Sequence, residues 1–241
     1  MNKLIIAATL VAFATTATAQ TVRMGTEGAY PPYNFINDNG EVDGFERDLG
    51  DMLCEIAGLD CVWVINDWDS IIPNLVSGNY DTIIAGMSIT NERDEVIDFT
   101  QEYYPPDASA FVGLAGTSND VKMSGIIAAQ TNTIQASYIA NSSATLVEFA
   151  TADETIAAVR NGEADAVLAD WGLLSDIVNE SGGELAVVGD RVMIGGGVGM
   201  GIRESDNDLR DAFNAAIDQM KADGSLNALI AKWFDGLEAG Y

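Results

Sequence analysis

The sequence contains no histidine. That removes the side chain that most often serves as a general base near neutral pH and the commonest protein ligand for transition metals. A Ser-His-Asp triad is excluded outright. Cysteine is almost as scarce, with Cys54 and Cys61 alone, so a structural zinc site has little to be built from, and a lipid anchor has no cysteine just behind a leader. Basic residues are few: 11 lysines and arginines stand against 37 acids, for a formal net charge of -26. Such a surface repels nucleic acid and anionic lipid. Behind the first segment no apolar run approaches the roughly 20 residues that a membrane-spanning helix needs.

What is present begins with a leader. Residues 1–19 carry Lys3, an apolar run over residues 4–13 and the small residues Ala17-Thr18-Ala19. That is the layout of a cleavable secretory signal cut after Ala19, and it places the mature chain in an aqueous extracytoplasmic space, the periplasm. In that compartment two cysteines suggest one disulfide, Cys54 to Cys61, with two buried free thiols as the alternative.

The mature chain alternates apolar runs with amphipathic helical stretches, the pattern of an α/β protein. Val22-Arg23-Met24-Gly25 reads as a first strand, followed by the proline loop Ala29-Tyr30-Pro31-Pro32-Tyr33. Phe35-Ile36 and Val42 flank an Asn39-Gly40 turn. From Phe45 the apolar positions Phe45, Leu49, Met52, Leu53 and Ile56 share one helical face, and Gly58 suits a left-handed cap. Strands are predicted over 61–65 and 82–86, with a helix over 70–76 between them, giving βαβαβ winding that places binding at strand carboxyl ends. Further strands are predicted over 110–113, 125–129, 164–169 and 199–202, and helices over 152–159, 206–222 and 225–234. Gly195-Gly196-Gly197-Val198-Gly199 fits neither a dinucleotide fingerprint nor a lysine-bearing phosphate loop, and nothing in the chain calls for a cofactor or metal.

Six segments stand together in order: Gly25-Thr26-Glu27-Gly28-Ala29-Tyr30-Pro31-Pro32-Tyr33-Asn34-Phe35, Gly44-Phe45-Glu46-Arg47-Asp48-Leu49, Trp68-Asp69-Ser70-Ile71-Ile72-Pro73, Gly86-Met87-Ser88-Ile89-Thr90-Asn91-Glu92-Arg93, Asp98-Phe99-Thr100 with Tyr103-Tyr104, and residues 165–170. With Lys221-Ala222-Asp223-Gly224-Ser225 and Lys232-Trp233-Phe234, they closely resemble the family-3 solute-binding proteins of polar amino-acid ABC importers. The resemblance spans essentially the whole mature chain. It implies a two-lobed, type II periplasmic-binding-protein-like α/β fold with two hinge strands and the ligand in the interlobe cleft. Lobe I would comprise residues 20–109 and 195–241, and lobe II residues 110–194. It also implies a small amino-acid ligand, a membrane permease as partner, and a monomer.

A free amino acid offers a carboxylate, an ammonium and a side chain, so a selective pocket needs a group for each. Arg93 supplies a bidentate fork for the carboxylate. By the resemblance, the backbone near Gly86 and the Ser88 hydroxyl add donors, and Thr133, at a helix start, meets the same carboxylate from lobe II; simple N-capping is the other use for Thr133. Asn132 stands where the family usually has glycine, which leaves the contacts of Gln130 and Gln135 open. Asp170 resembles the aspartate that takes the ammonium. Tyr30 and Trp68 match aromatics that face the ligand side chain, and Glu27 occupies a position where relatives that bind basic amino acids often carry an acid. Together these three point to a cationic group such as that of arginine, lysine, ornithine or an opine. The alternatives are a secreted cyclohexadienyl dehydratase-like enzyme on the same fold, with Glu27 as its acid, and a ligand-sensing module for a membrane receptor.

Overall fold

The computed structural model describes residues 21–234, 237, 240 and 241. The leader and its cut site therefore lie outside the described residues.

One sheet is built from the two ends of the chain. Its strand order is Asp60–Ile65, Thr21–Thr26, Thr82–Ile83, Gly201–Ile202 and Asp98–Phe99. The first three are mutually parallel and joined by the helices Phe45–Ala57 and Ile71–Val76, the βαβαβ winding that the sequence suggests. Helix Phe45–Ala57 buries Phe45, Leu49 and Leu53 completely, as their spacing along one face requires. It stops at Gly58, whose φ of 67° is the left-handed region where a glycine carries no Cβ penalty. Cys54, in the last turn, is bonded to Cys61 at the head of the next strand, so helix end and strand start are tied.

The second sheet has the order Thr145–Phe149, Ile126–Gln130, Ala166–Asp170, Ala108–Leu114 and Leu185–Val187, with Val192–Met193 also pairing on Ala108–Leu114. Each sheet has its own apolar core. Under the first lie Met24, Phe45, Leu49, Tyr103, Tyr104 and Phe213; the second packs Ala110, Val112, Ala128, Val159, Leu173 and Leu174 on one face. The chain passes between sheets after Phe99 and returns before Gly201, and the two passages run side by side. Val198 accepts from the amides of Tyr103 and Tyr104 and donates to Tyr104 O. This is the two-lobed arrangement with paired hinge segments. The lobes meet face to face: Tyr30 Oη donates to Asp170 Oδ2 at 2.9 Å and Gln130 Nε2 to Glu27 Oε1 at 2.6 Å, both bonds running from one lobe to the other.

Several boundaries differ from expectation for local reasons. The strand predicted over 82–86 pairs only at Thr82–Ile83, because the chain turns at Gly86 with φ 61°. The strand predicted over 110–113 begins at Ala108 and that over 199–202 is paired only at Gly201–Ile202. A single 3-10 turn, Trp68–Ser70, precedes Ile71–Val76. Of helix Ile134–Ala140 only the start at Thr133 was expected, and helix Trp171–Glu180 and strand Thr145–Phe149 were not among the predicted elements. The second helix was legible, since Trp171, Leu174, Ile177 and Val178 follow helical spacing.

Candidate functional site

All ten residues singled out as ligand contacts line one cavity between the sheets, joined there by Ala85 and Ile134. From the first lobe come Glu27, Tyr30, Trp68, Gly86, Ser88 and Arg93, and from the second Gln130, Thr133, Gln135 and Asp170. The strand ends explain the convergence. Glu27 directly follows Thr21–Thr26, Gly86 lies just beyond Thr82–Ile83, Gln130 closes Ile126–Gln130 and Asp170 closes Ala166–Asp170, so the cavity sits at carboxyl ends of parallel strands.

Arg93 lies in the short turn Asn91–Asp94, which is capped by Thr90 accepting from the Arg93 amide. Its guanidinium donates to Ser88 O at 2.8 Å and to Asn132 O at 3.3 Å, across the cleft, and stands 5.4 Å from the centre of the Trp68 ring. Among the described residues, no carboxylate lies within ion-pair distance of it; the ion pairs of the chain are elsewhere. Burial lowers its pKa to about 10, opposed by the charge of Asp170, so it remains a cation at neutral pH. A partly buried guanidinium with no carboxylate beside it is suited to take an anion.

The acids are equally uncompensated. Asp170 accepts from Gln135 Nε2 at 2.7 Å, Tyr30 Oη at 2.9 Å and Ser109 Oγ at 3.4 Å. It occupies the N-cap of Trp171–Glu180 without making a capping bond. Burial raises its pKa to about 6; the Tyr30 hydrogen bond works against that rise. Glu27 is 8% exposed, and Gln130 Nε2 at 2.6 Å is its one hydrogen-bond partner among the described residues. Burial raises it to about 7, the Gln130 bond opposes this, and the charges of Asp67, Asp153 and Asp69 push it further up. Neither carboxylate has a lysine or arginine within ion-pair distance among the described residues.

Two of the expected donors have partners within the protein. The Gly86 amide donates to Glu46 Oε1 at 2.6 Å, so that N–H is already paired. The Thr133 hydroxyl donates to Gln130 O at 2.7 Å and accepts from Ala136 N; it is an N-cap, and an anion there would meet main-chain amides rather than the hydroxyl. Asn132 takes φ 56°, the left-handed backbone that asparagine tolerates in place of glycine. Gln130 and Gln135, whose contacts the sequence left open, each donate to one of the two acids. Ser109, which sequence reasoning missed, touches both Asp170 and Gln135. Its signal is register, since it sits opposite Asp170 in the antiparallel pair.

The cavity thus sets one guanidinium against two carboxylates, with two aromatic side chains in its wall. Residues 22–236 match the model of the bacterial extracellular solute-binding proteins, family 3. A crystal structure of a periplasmic His/Glu/Gln/Arg/opine family-binding protein from Silicibacter pomeroyi in complex with lysine is similar at 73% identity and TM-score 0.88, over 91% of this chain and 100% of that one. The putative ABC transporter arginine-binding protein 2 of Escherichia coli is 32% identical over 97% of this chain and 99% of its own length. The L-arginine-binding protein of Pseudomonas aeruginosa is 32% identical over 95% and 93%. With a family match across nearly the whole described chain, the chain belongs to the bacterial extracellular solute-binding proteins, family 3.

Proposed function

We propose that this chain is the periplasmic binding component of an ABC-type amino-acid importer, that it captures a basic amino acid by closure of its lobes, and that it hands the ligand to a membrane permease without chemical change. The observation that carries the reading is the charge balance of the cavity. One guanidinium and two carboxylates, none paired with an opposite charge among the described residues, complement one carboxylate and two cationic groups. A neutral zwitterion would leave one buried acid without a counter-charge; lysine, arginine or ornithine leaves none. Arg93 takes the ligand carboxylate, Asp170 the α-ammonium, and Glu27 the distal cation, with Tyr30 and Trp68 along its stem. Because the two ends of the ligand bind different lobes, the closed state binds it better than the open one, which is what drives closure. The ligands of the similar proteins, lysine and arginine, agree. The division proposed is lobe I from residues 20–109 and 195–241 and lobe II from residues 110–194, working as a monomer.

Calorimetric titration of the mature chain with each standard amino acid is expected to give Kd values at or below about micromolar for lysine, arginine or ornithine. No binding tighter than roughly millimolar to any of them would contradict the proposal. One observation favours a second reading: a carboxyl held at about 7, as Glu27 is, suits a general acid, as a dehydratase would need. Release of phenylpyruvate or phenylalanine from the matching cyclohexadienyl acid would establish that reading, and its absence alongside tight binding would dispose of it.

A further inference from the structure

Glu46 belongs to a motif that the binding site does not use, yet it is completely buried and ionisable. It is the second residue of helix Phe45–Ala57, whose first amides donate to Pro32 O and Tyr33 O, so the helix start is fixed against the proline loop. Its carboxylate accepts from three donors. Gly86 N at 2.6 Å and the Tyr103 hydroxyl reach Oε1, and Asn34 Nδ2 at 2.7 Å reaches Oε2. Asn34, also fully buried, in turn accepts from Gly28 N at 2.7 Å through Oδ1. An unbroken line of hydrogen bonds therefore runs from the Gly28 amide through two buried side chains to the Gly86 amide.

The two ends of that line are the two binding loops of lobe I. Gly28, with φ 71°, opens the turn between Glu27 and Tyr30; Gly86, with φ 61°, opens the turn that leads to Ser88 and Arg93. We propose that Asn34 and Glu46 are positioning residues that hold these loops in register, and so set the distance between the carboxylate-binding end and the distal end of the site; what the loops bind rests on the reading above. Both ends of the line are backbone donors, so the middle must present an acceptor in each direction. Asparagine with glutamate satisfies this. Aspartate with glutamine, the same atoms with the amide moved to the other residue, satisfies it equally and at the same net charge.

That symmetry supplies the test. Glu46→Gln alone sets an amide nitrogen against Asn34 Nδ2; if Asn34 turns over, its nitrogen then faces the Gly28 N–H. Either way one buried donor loses its acceptor. The single variant is expected to weaken lysine and arginine binding about tenfold or more, and to move the amide NMR signals of Gly28 and Gly86. The double variant Asn34→Asp with Glu46→Gln is expected to return the affinity to within about threefold of wild type and the Gly28 signal to its place. A residue serving stability alone would change the melting temperature and leave the affinity where it was. The proposal is overturned if Glu46→Gln leaves affinity and both amide signals unchanged, or if the double variant binds no better than the single one. Should the single variant fail to fold, a double variant that folds and binds supports the relay and one that also fails contradicts it. Failure of wild type to bind lysine or arginine would refute the functional reading alone, because the two amide signals report on the relay without ligand.

Discussion

Arg93→Met is expected to weaken lysine binding by about a hundred- to a thousandfold, since removing one partner of a buried charge pair costs about 2–5 kcal/mol. The loss is this large because nothing else in the cavity can take over. The Ser88 hydroxyl is a single donor, the Thr133 hydroxyl proton is committed to Gln130 O, and the Gly86 amide is committed to Glu46. A ligand carboxylate would be left buried beside amides and the one Ser88 hydroxyl, without a counter-charge. The same substitution should leave the ligand-free protein as stable as wild type or more so, because it deletes a guanidinium that has no carboxylate within ion-pair distance among the described residues. Titration calorimetry and thermal unfolding on one preparation check both. A variant that binds lysine within a few-fold of wild type would show that Arg93 does not hold the carboxylate.

Glu27→Gln separates charge from shape. The amide is isosteric and its oxygen still accepts from Gln130 Nε2, so packing survives while the negative charge goes. Affinity for lysine or arginine is expected to fall by about 30- to 100-fold, with weak binding of neutral glutamine changed by less than about threefold. The pH profile follows the same group. Burial holds Glu27 at about 7 in the ligand-free cavity, whereas a bound cation favours its ionised form and lowers that value. Binding a cation there expels a proton wherever the carboxyl is protonated beforehand. Affinity is therefore full above pH 7 and lost as pH falls through the ligand-free value, by about tenfold one unit below it. Asp170, at about 6, steepens the loss further down. In Glu27→Gln the upper part of that decline should vanish and the lower part remain. A wild-type affinity that stays flat between pH 8 and pH 6, or rises as pH falls, would mean that Glu27 faces no cation.

Much of this was legible in the residues. The parallel strands and the helix Phe45–Ala57 follow from alternation and helical spacing, and Gly58 and Gly224 both take the left-handed backbone expected of glycines at helix ends. The resemblance brought ten residues to one cavity although they are spread from Glu27 to Asp170. What sequence could not supply was how each hydrogen-bonding group is spent. Nothing in Gly86-Met87-Ser88 says that the first amide is taken by Glu46, because that bond closes over 40 positions and depends on where the helix start comes to rest. The roles of Gln130 and Gln135 were open for a like reason, as each contact is made only once the sheets face each other or helix Ile134–Ala140 packs beside strand Ala166–Asp170. Short helices such as Ile134–Ala140 carry too few turns for a periodic signal, and tertiary packing decides them.

With Arg93 against Glu27 and Asp170, the cavity carries one negative charge more than a neutral amino acid can balance. Arginine and citrulline share length and shape and differ in the charge of the distal group, so paired calorimetric titrations of wild type at about pH 7.5, where Glu27 is mostly ionised, read that charge directly. Arginine should bind about a hundredfold more tightly than citrulline, or better. Equal affinities, or a preference for citrulline, would contradict the assignment of Glu27 and Asp170 to two separate cations.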